Sequence, residues 1–171
     1  ESLQAVRLDP HCSCAYDFLG AEPPEVRADK SLAWVYAWRG GIRRKDERLA
    51  EAAADLEHAA RLDPRCFWIA AWRGELRLVQ GRAAEGLKDL ERALSLYPRY
   101  GQAQVWKGRA LLTVGRLAPA QRAFKAALAC DPMNVWARLG WAACLEKAGK
   151  MAQARSEFQR ARRQAPALFE S

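Results

Sequence analysis

Residues that could hold a metal ion are concentrated in one short stretch of this sequence. His11, Cys12 and Cys14 lie close together and could offer imidazole and thiolate ligands to zinc. A structural zinc site needs a full tetrahedral set, and the other histidine, His58, has no second Cys/His cluster beside it. Adjacent and alternate residues rarely converge on one ion. We therefore expect an ordinary loop here, and no metal or other cofactor.

Combinations of residues that are typical of catalysis are also missing. The sequence has no Ser/His/Asp arrangement, no glycine-rich phosphate loop after a strand and no H-E-x-x-H motif. The neighbouring carboxylates of Asp46 and Glu47 are better explained as solvated charges at the end of a helix. We therefore predict that the chain is not an enzyme.

The cysteines and the arginines indicate where such a chain would work. The five cysteines form no C-x-x-C pair, and a disulfide framework would normally use an even number. There is no basic-then-apolar leader and no apolar run long enough to span a bilayer. Arginine strongly outnumbers lysine, which fits a GC-rich genome. We expect a cytoplasmic, bacterial protein with reduced thiols and no membrane association.

A period of 34 residues runs through most of the chain. Five series keep this step, and coincidence does not explain them together. The prolines are Pro64, Pro98, Pro132 and Pro166; the other series include Gly40, Gly74 and Gly108; Gly81, Gly115 and Gly149; Ala59, Ala93, Ala127 and Ala161; and Leu56, Leu90, Phe124 and Phe158.

Each period contains the signals of two helices. In the period that begins at Phe67, residues 67–80 are good helix formers, Gly81 interrupts them, and residues 83–96 carry an apolar stripe. Pro98 ends the second helix, because proline disfavours helical geometry in the residue before it. Gly74 and Gly86 would let the two helices approach closely.

A 34-residue helix–turn–helix unit with these small residues and a proline near its end resembles the tetratricopeptide repeat. The unit from Gly101 to Asn134 carries the pattern at Gly108, Gly115, Ala120, Phe124, Ala127 and Pro132. The resemblance implies an all-α fold, a right-handed α-solenoid of stacked helix-turn-helix hairpins.

The same resemblance divides the chain into segments. Residues 33–168 hold four tandem units, at 33–66, 67–100, 101–134 and 135–168. Residues 1–32 are interpreted as the end of a preceding repeat plus an irregular insertion, and 169–171 as the truncated start of a further repeat. We therefore expect a fragment of a larger protein. The seventh residue of a unit, usually Leu in this family, departs from the pattern; here it is Arg39, Arg73, Lys107 and Trp141.

By resemblance, the first helix of each unit lines a concave groove. The second and sixth residues of the units hold six of the seven tryptophans. Indoles bury much area with few rotatable bonds, which suits binding, but an aromatic stripe can equally fill the space between units, and both interpretations remain open. The candidate partner-binding residues are Trp34, Trp38, Trp68, Trp72, Glu75, Gln102, Trp106, Arg109 and Trp136.

The resemblance and the charge together predict a protein-interaction scaffold. Some members clamp a terminal carboxylate with Lys and Asn in the groove, where this chain has mostly Trp, Ala, Val and Leu, so we expect an apolar or acidic peptide segment, or a helix. Residues 67–134 carry 11 basic and 5 acidic groups, a net charge of +6 that could steer acidic partners. The alternatives are RNA binding, which a groove of indoles disfavours, and end-to-end self-assembly through uncapped ends.

Overall fold

The computed structural model describes residues 32–170, and the predictions for residues 1–31, including the loop at His11, Cys12 and Cys14, lie outside that range. The described part contains eight α-helices, a final 3₁₀ helix at Pro166–Phe169 and no strand. The helices are α1 Ala33–Lys45, α2 Leu49–Leu62, α3 Phe67–Val79, α4 Ala83–Leu96, α5 Gly101–Thr113, α6 Leu117–Cys130, α7 Val135–Lys147 and α8 Met151–Gln164.

Consecutive helices pack as four hairpins, α1 with α2, α3 with α4, α5 with α6, and α7 with α8. The second helix of each hairpin also packs against the first helix of the next. First helices of neighbouring hairpins contact one another, whereas second helices lie further apart. The first helices therefore form the inner layer of a curved stack. The grouping into units at 33–66, 67–100, 101–134 and 135–168 remains our proposal.

The first helix of each hairpin ends in the same tight turn. In the second hairpin, the N–H of Arg82 donates to the carbonyl of Arg77 at 2.8 Å, and Gly81 between them has φ 77°. This left-handed residue closes the helix and favours glycine. Gly115 and Gly149 repeat the conformation, but the first hairpin places Glu47 there with φ 61°. A side chain in this conformation costs about 1 kcal/mol.

Glycines allow the two helices of a hairpin to touch. A Cβ on Gly74 would lie 2.8 Å from Leu90 Cγ, and a Cβ on Gly86 would lie 2.8 Å from the carbonyl oxygen of Gly74. A Cβ on Gly108 would meet the ring of Phe124 at 2.7 Å. Leu90 and Phe124 are fully buried at these contacts. The close approach predicted from Gly74 and Gly86 is therefore confirmed.

A buried carboxylate on the second helix explains the arginine that departs from the family pattern. Asp55 on α2 accepts from Arg39 Nε at 2.8 Å and from Arg43 Nη1 at 2.8 Å. In the next hairpin, Asp89 accepts from Arg73 Nε at 2.9 Å and pairs with Arg77 Nη1 at 2.8 Å. Each aspartate is almost fully buried. Two guanidinium groups on the first helix therefore anchor one carboxylate on the second.

A second set of contacts joins each hairpin to the next one. Glu57 on α2 pairs with Arg73 on α3 at 3.0 Å, and Glu91 on α4 pairs with Lys107 on α5 at 3.4 Å. At the third junction, the position that holds Glu57 and Glu91 in the earlier hairpins holds a lysine. The contact there is made by Lys125 on α6, whose Nζ lies 5.2 Å from the centre of the Trp141 ring on α7, so a cation–π contact replaces the ion pair.

Asp89→Ala is expected to lower the free energy of unfolding by about 3 kcal/mol or more, because two largely buried guanidinium groups would lose their partner. Glu85→Ala is the matched control on the same helix, because Glu85 pairs with Arg82 in full exposure and its loss should change stability far less. Urea denaturation followed by circular dichroism measures both. Equal losses in the two variants would contradict the importance of the buried pair.

Candidate functional site

A concave cavity of about 210 Å³ opens on the inner layer of helices. Its walls combine three indoles, one carboxylate, two cations and a small apolar surface. The lining residues are Trp38, Gly41, Ile42, Arg44, Lys45, Leu56, Trp72, Glu75 and Trp106. We call this cavity the tryptophan groove. It contains four of the nine residues that the sequence proposed as partner-binding.

The indoles come from three successive first helices. Trp38, Trp72 and Trp106 occupy equivalent positions on α1, α3 and α5, and these helices contact their neighbours in the stack. The ring centroids of Trp38 and Trp72 lie 6.1 Å apart. Trp68, one turn earlier on α3, packs edge-to-face on Trp72 at 5.2 Å. The repeat period therefore places indoles of the first two hairpins side by side.

Burial differs strongly among the tryptophans of the predicted stripe. Trp106 is 8% exposed and belongs to the core, whereas Trp136 is 61% exposed and Trp34 is 37% exposed. Trp38, Trp68 and Trp72 are half-buried. Trp106 therefore fills space in the core, whereas partner binding by the half-buried rings stays a prediction.

The indole series stops in the fourth hairpin for a steric reason. Gly140 on α7 stands where the other hairpins have a tryptophan, and a Cβ there would overlap the ring of Phe124. Phe124 already fills the space between α5, α6 and α7. Gly41 has a similar relation to the groove, because a Cβ there would lie 3.2 Å from Cζ3 of Trp72.

The single carboxylate among the groove-lining residues lies in an unfavourable environment. Burial raises the pKa of Glu75, against the opposing effect of the positive charges of Arg44 and Arg109. The Nε atom of Arg44 lies 3.2 Å from Oε2 of Glu75. Lys45 adds a second cation to the walls. The groove therefore carries a net positive charge around its indoles.

The structure does not bring the whole predicted set together. Trp34, Gln102, Arg109 and Trp136 do not line the groove, and Trp68 reaches it only through its contact with Trp72. The sequence analysis did not include Arg44 and Lys45 among its candidate residues, although both lie in the last turn of α1. It also missed the periodic carboxylates at Asp55 and Asp89, and Glu157 on α8, which accepts from Arg138 Nη1 at 2.7 Å; these residues keep the 34-residue step.

Within residues 32–170, no three side chains of His, Cys, Asp and Glu come together as metal ligands would. None of the helices in this range combines the length and apolar character that crossing a bilayer requires. Cys144 is buried, and burial raises the pKa of its thiol to about 11, so this thiol stays protonated at neutral pH.

Two family models described as tetratricopeptide repeat match the sequence, at residues 73–119 and 114–168. Together they cover more than half of the chain. No curated protein matches the sequence.

Solved structures match the fold closely. MamA 41-end from Desulfovibrio magneticus RS-1 has a TM-score of 0.79 at 16% identity, covering 97% of this chain and 92% of that one. A crystal structure of MamA gives 0.75 at 17% identity, covering 93% and 90%. The first TPR of Spaghetti (RPAP3), bound to the HSP90 peptide SRMEEVD, gives 0.68 at 20% identity, covering 71% and 96%. These likenesses confirm the predicted all-α, right-handed α-solenoid.

Trp106→Ala is expected to cost about 3–5 kcal/mol of stability, because it removes a large buried side chain. Trp136→Ala is the matched control and should change stability by less than about 0.5 kcal/mol, since its ring is mostly in water. Thermal melting followed at 222 nm by circular dichroism, a wavelength sensitive to helix, measures both. A small loss for Trp106→Ala would contradict its place in the core.

Glu75→Gln is expected to stabilise the fold increasingly as pH rises. Because the folded pKa of Glu75 lies above its ordinary value of 4.5, ionisation is less favourable in the folded state, and the wild type loses stability as pH rises through that window. Glutamine does not ionise, so the difference between the two proteins should grow as the pH rises above the ordinary carboxyl pKa of 4.5. Urea titrations at several pH values measure it.

Glu85→Gln controls for a general effect of removing one negative charge. The hydrogen bond from Arg82 lowers the pKa of Glu85, so this variant should lose stability relative to the wild type as pH rises. Parallel pH profiles for the two variants would contradict the assigned environment of Glu75.

Proposed function

The chain belongs to the tetratricopeptide repeat family, and on this premise we propose that it is a non-catalytic scaffold that binds a partner peptide or helix in the tryptophan groove. The observation that carries the proposal is the convergence of Trp38, Trp72 and Trp106 with cations on one concave surface. A concave site with aromatic walls and a few polar groups is the ordinary form of a binding site.

The chemistry of the walls suggests what the partner offers. The half-buried rings of Trp38 and Trp72 would cover an apolar or aromatic side chain, because indoles contribute large apolar area with little loss of rotamer entropy. Arg44 and Lys45 would receive an acidic group beside that anchor. Because Glu75 is the carboxylate that now faces Arg44, an acidic partner residue would compete with it.

Fold neighbours support binding of this general kind. The RPAP3 domain carries an HSP90 peptide in a structure that overlays on this chain with a TM-score of 0.68. At 20% identity the overlay concerns the fold, and the groove residues of this chain are its own. We therefore propose a peptide partner with an apolar anchor next to an acidic residue.

A second candidate function is end-to-end self-association. Phe158 on α8 is 47% exposed, whereas Leu56, Leu90 and Phe124 at the equivalent positions are fully buried. Met151 on the same helix is also exposed. Another helical hairpin stacked on α8 would cover this surface as each hairpin covers its neighbour. Light scattering over a range of protein concentrations tests this, and a constant monomer mass would exclude it.

The groove is tested by selecting binders from a random peptide library against the wild-type chain. Peptides that bind the groove should bind Trp72→Ala at least about tenfold more weakly, because a half-buried ring at the centre of the site is lost. Trp136→Ala, an exposed tryptophan outside the groove, should leave affinity unchanged. Fluorescence polarisation measures the binding, and circular dichroism verifies that each variant is folded.

Two results would contradict the proposal that the tryptophan groove binds a peptide. One is equal affinity of the selected peptides for the wild type and for Trp72→Ala. The other is a stronger interaction with a single-stranded RNA oligomer than with any selected peptide at low salt, which would favour the nucleic-acid alternative.

A further inference from the structure

The third hairpin lacks the carboxylate that anchors the first two. Ala123 on α6 stands where α2 has Asp55 and α4 has Asp89, at the same 34-residue step. In those hairpins the aspartate binds two arginines of the first helix. Ala123 is buried like the aspartates at the equivalent positions, but its side chain has no carboxylate to pair with a cation.

Of the two cations that bind each aspartate, the third hairpin keeps one, because Leu111 stands where α1 has Arg43 and α3 has Arg77. Lys107 on α5 is equivalent to Arg39 and Arg73. Arg116, at the start of α6, is equivalent to Arg48 and Arg82, which pair with Glu51 and Glu85 three residues later. The residue three positions after Arg116 is Pro119, so both acidic partners of the earlier hairpins are gone. Arg122, next to Ala123 in the sequence of α6, adds a further cation.

A cleft of about 390 Å³ occupies this part of the hairpin, and we call it the third-hairpin cleft. Its lining residues are Glu91, Gln104, Lys107, Leu111, Arg116, Pro119, Arg122, Ala123 and Ala126. Glu91 is the one carboxylate among them and lies 3.4 Å from Nζ of Lys107. Within residues 32–170, the guanidinium groups of Arg116 and Arg122 have no ion-pair partner. The cleft therefore has three cations against one anion.

We propose that the third-hairpin cleft binds an acidic side chain of a partner polypeptide. The partner's carboxylate takes the place that Asp55 and Asp89 hold in the first two hairpins, and it pairs with Lys107, Arg116 or Arg122. The apolar floor formed by Leu111, Ala123 and Ala126 fits the methylene stem of a glutamate. No aromatic ring lines the cleft, so it lacks the stacking surface that single-stranded nucleic acid uses.

This cleft is separate from the tryptophan groove, and the two share no lining residue. A variant at Arg116 or Arg122 therefore leaves the groove unchanged, and Trp72→Ala leaves the cleft unchanged. Failure of either proposal can be recognised without the other. A partner long enough to reach both sites would gain affinity from their combination.

The first experiment removes two cations of the cleft by the double substitution Arg116→Gln and Arg122→Gln. The probe is a fluorescein-labelled oligoglutamate peptide, capped at both ends and measured by polarisation at low salt. Two exposed charge contacts together are worth about 1.4 kcal/mol, so binding should weaken about tenfold. The control removes the same charge by Lys150→Gln and Arg163→Gln, two exposed residues on neither site. An equal loss in the control overturns the proposal.

The second experiment fills the site from within. Ala123→Asp restores the carboxylate of the earlier hairpins and should abolish binding of the oligoglutamate probe. Ala129→Asp, exposed on the same helix and outside the cleft, adds the same charge and should weaken binding far less. Circular dichroism verifies that both variants are folded; if Ala123→Asp does not fold, the arginine variants decide alone. Equal effects of the two aspartates overturn the proposal.

A third arm replaces the peptide with an oligouridylate of equal charge. We expect the peptide to bind more tightly than the oligouridylate. The double substitution Arg116→Gln and Arg122→Gln should also reduce the affinity for the peptide more than the affinity for the oligouridylate. Tighter binding of the oligouridylate, with the same loss on the double variant, assigns the cleft to nucleic acid and overturns the proposal.

Discussion

The packing of the first three hairpins depends on the absence of a side chain at one position of the first helix, where the fourth hairpin has Ala142. A Cβ on Gly74 or Gly108 would lie less than 3.0 Å from a buried apolar residue of the second helix, and a Cβ on Gly40 would lie 3.0 Å from Leu56 Cγ. This close contact fixes the distance between the two helices. It also brings the aspartates of α2 and α4 within reach of the arginines on α1 and α3, and it turns the tryptophan positions toward the inner layer. The packing and the candidate site therefore share one steric origin.

Polar contacts then distinguish hairpins that would otherwise be alike. A carboxylate buried between two guanidinium groups costs desolvation free energy that its ion pairs largely return, so its principal effect is to hold one relative position of the helices. The first two hairpins have such a buried aspartate, and the fourth has an ion pair between Arg138 and Glu157. The third hairpin has no carboxylate at the equivalent position, which is Ala123. Where the carboxylate is missing, a cleft with excess positive charge is left at the surface.

The sequence predicted most of the fold because period and steric exclusion are local signals. The 34-residue step predicted where the helices lie. Gly81 predicted the turn between α3 and α4, and Pro98 predicted the end of α4. The site was harder to predict, because burial depends on neighbours from other hairpins. Trp106 is enclosed and Trp136 is not, and Gly140 is glycine because Phe124 of an earlier helix fills its space. The arginines at Arg39 and Arg73 looked like departures from the family, since the aspartates that pair with them lie on another helix.

The junctions between hairpins have a consequence for how this array could change in evolution. Two seams pair a glutamate with a cation, Glu57 with Arg73 and Glu91 with Lys107, whereas the third brings Lys125 against Trp141. If a copy of the second hairpin followed the third, Lys125 would face Arg73, and two cations would repel each other across the seam. Loss of the second hairpin would instead bring Glu57 against Lys107, another matched pair, so the seam side chains restrict only which hairpin can follow the third.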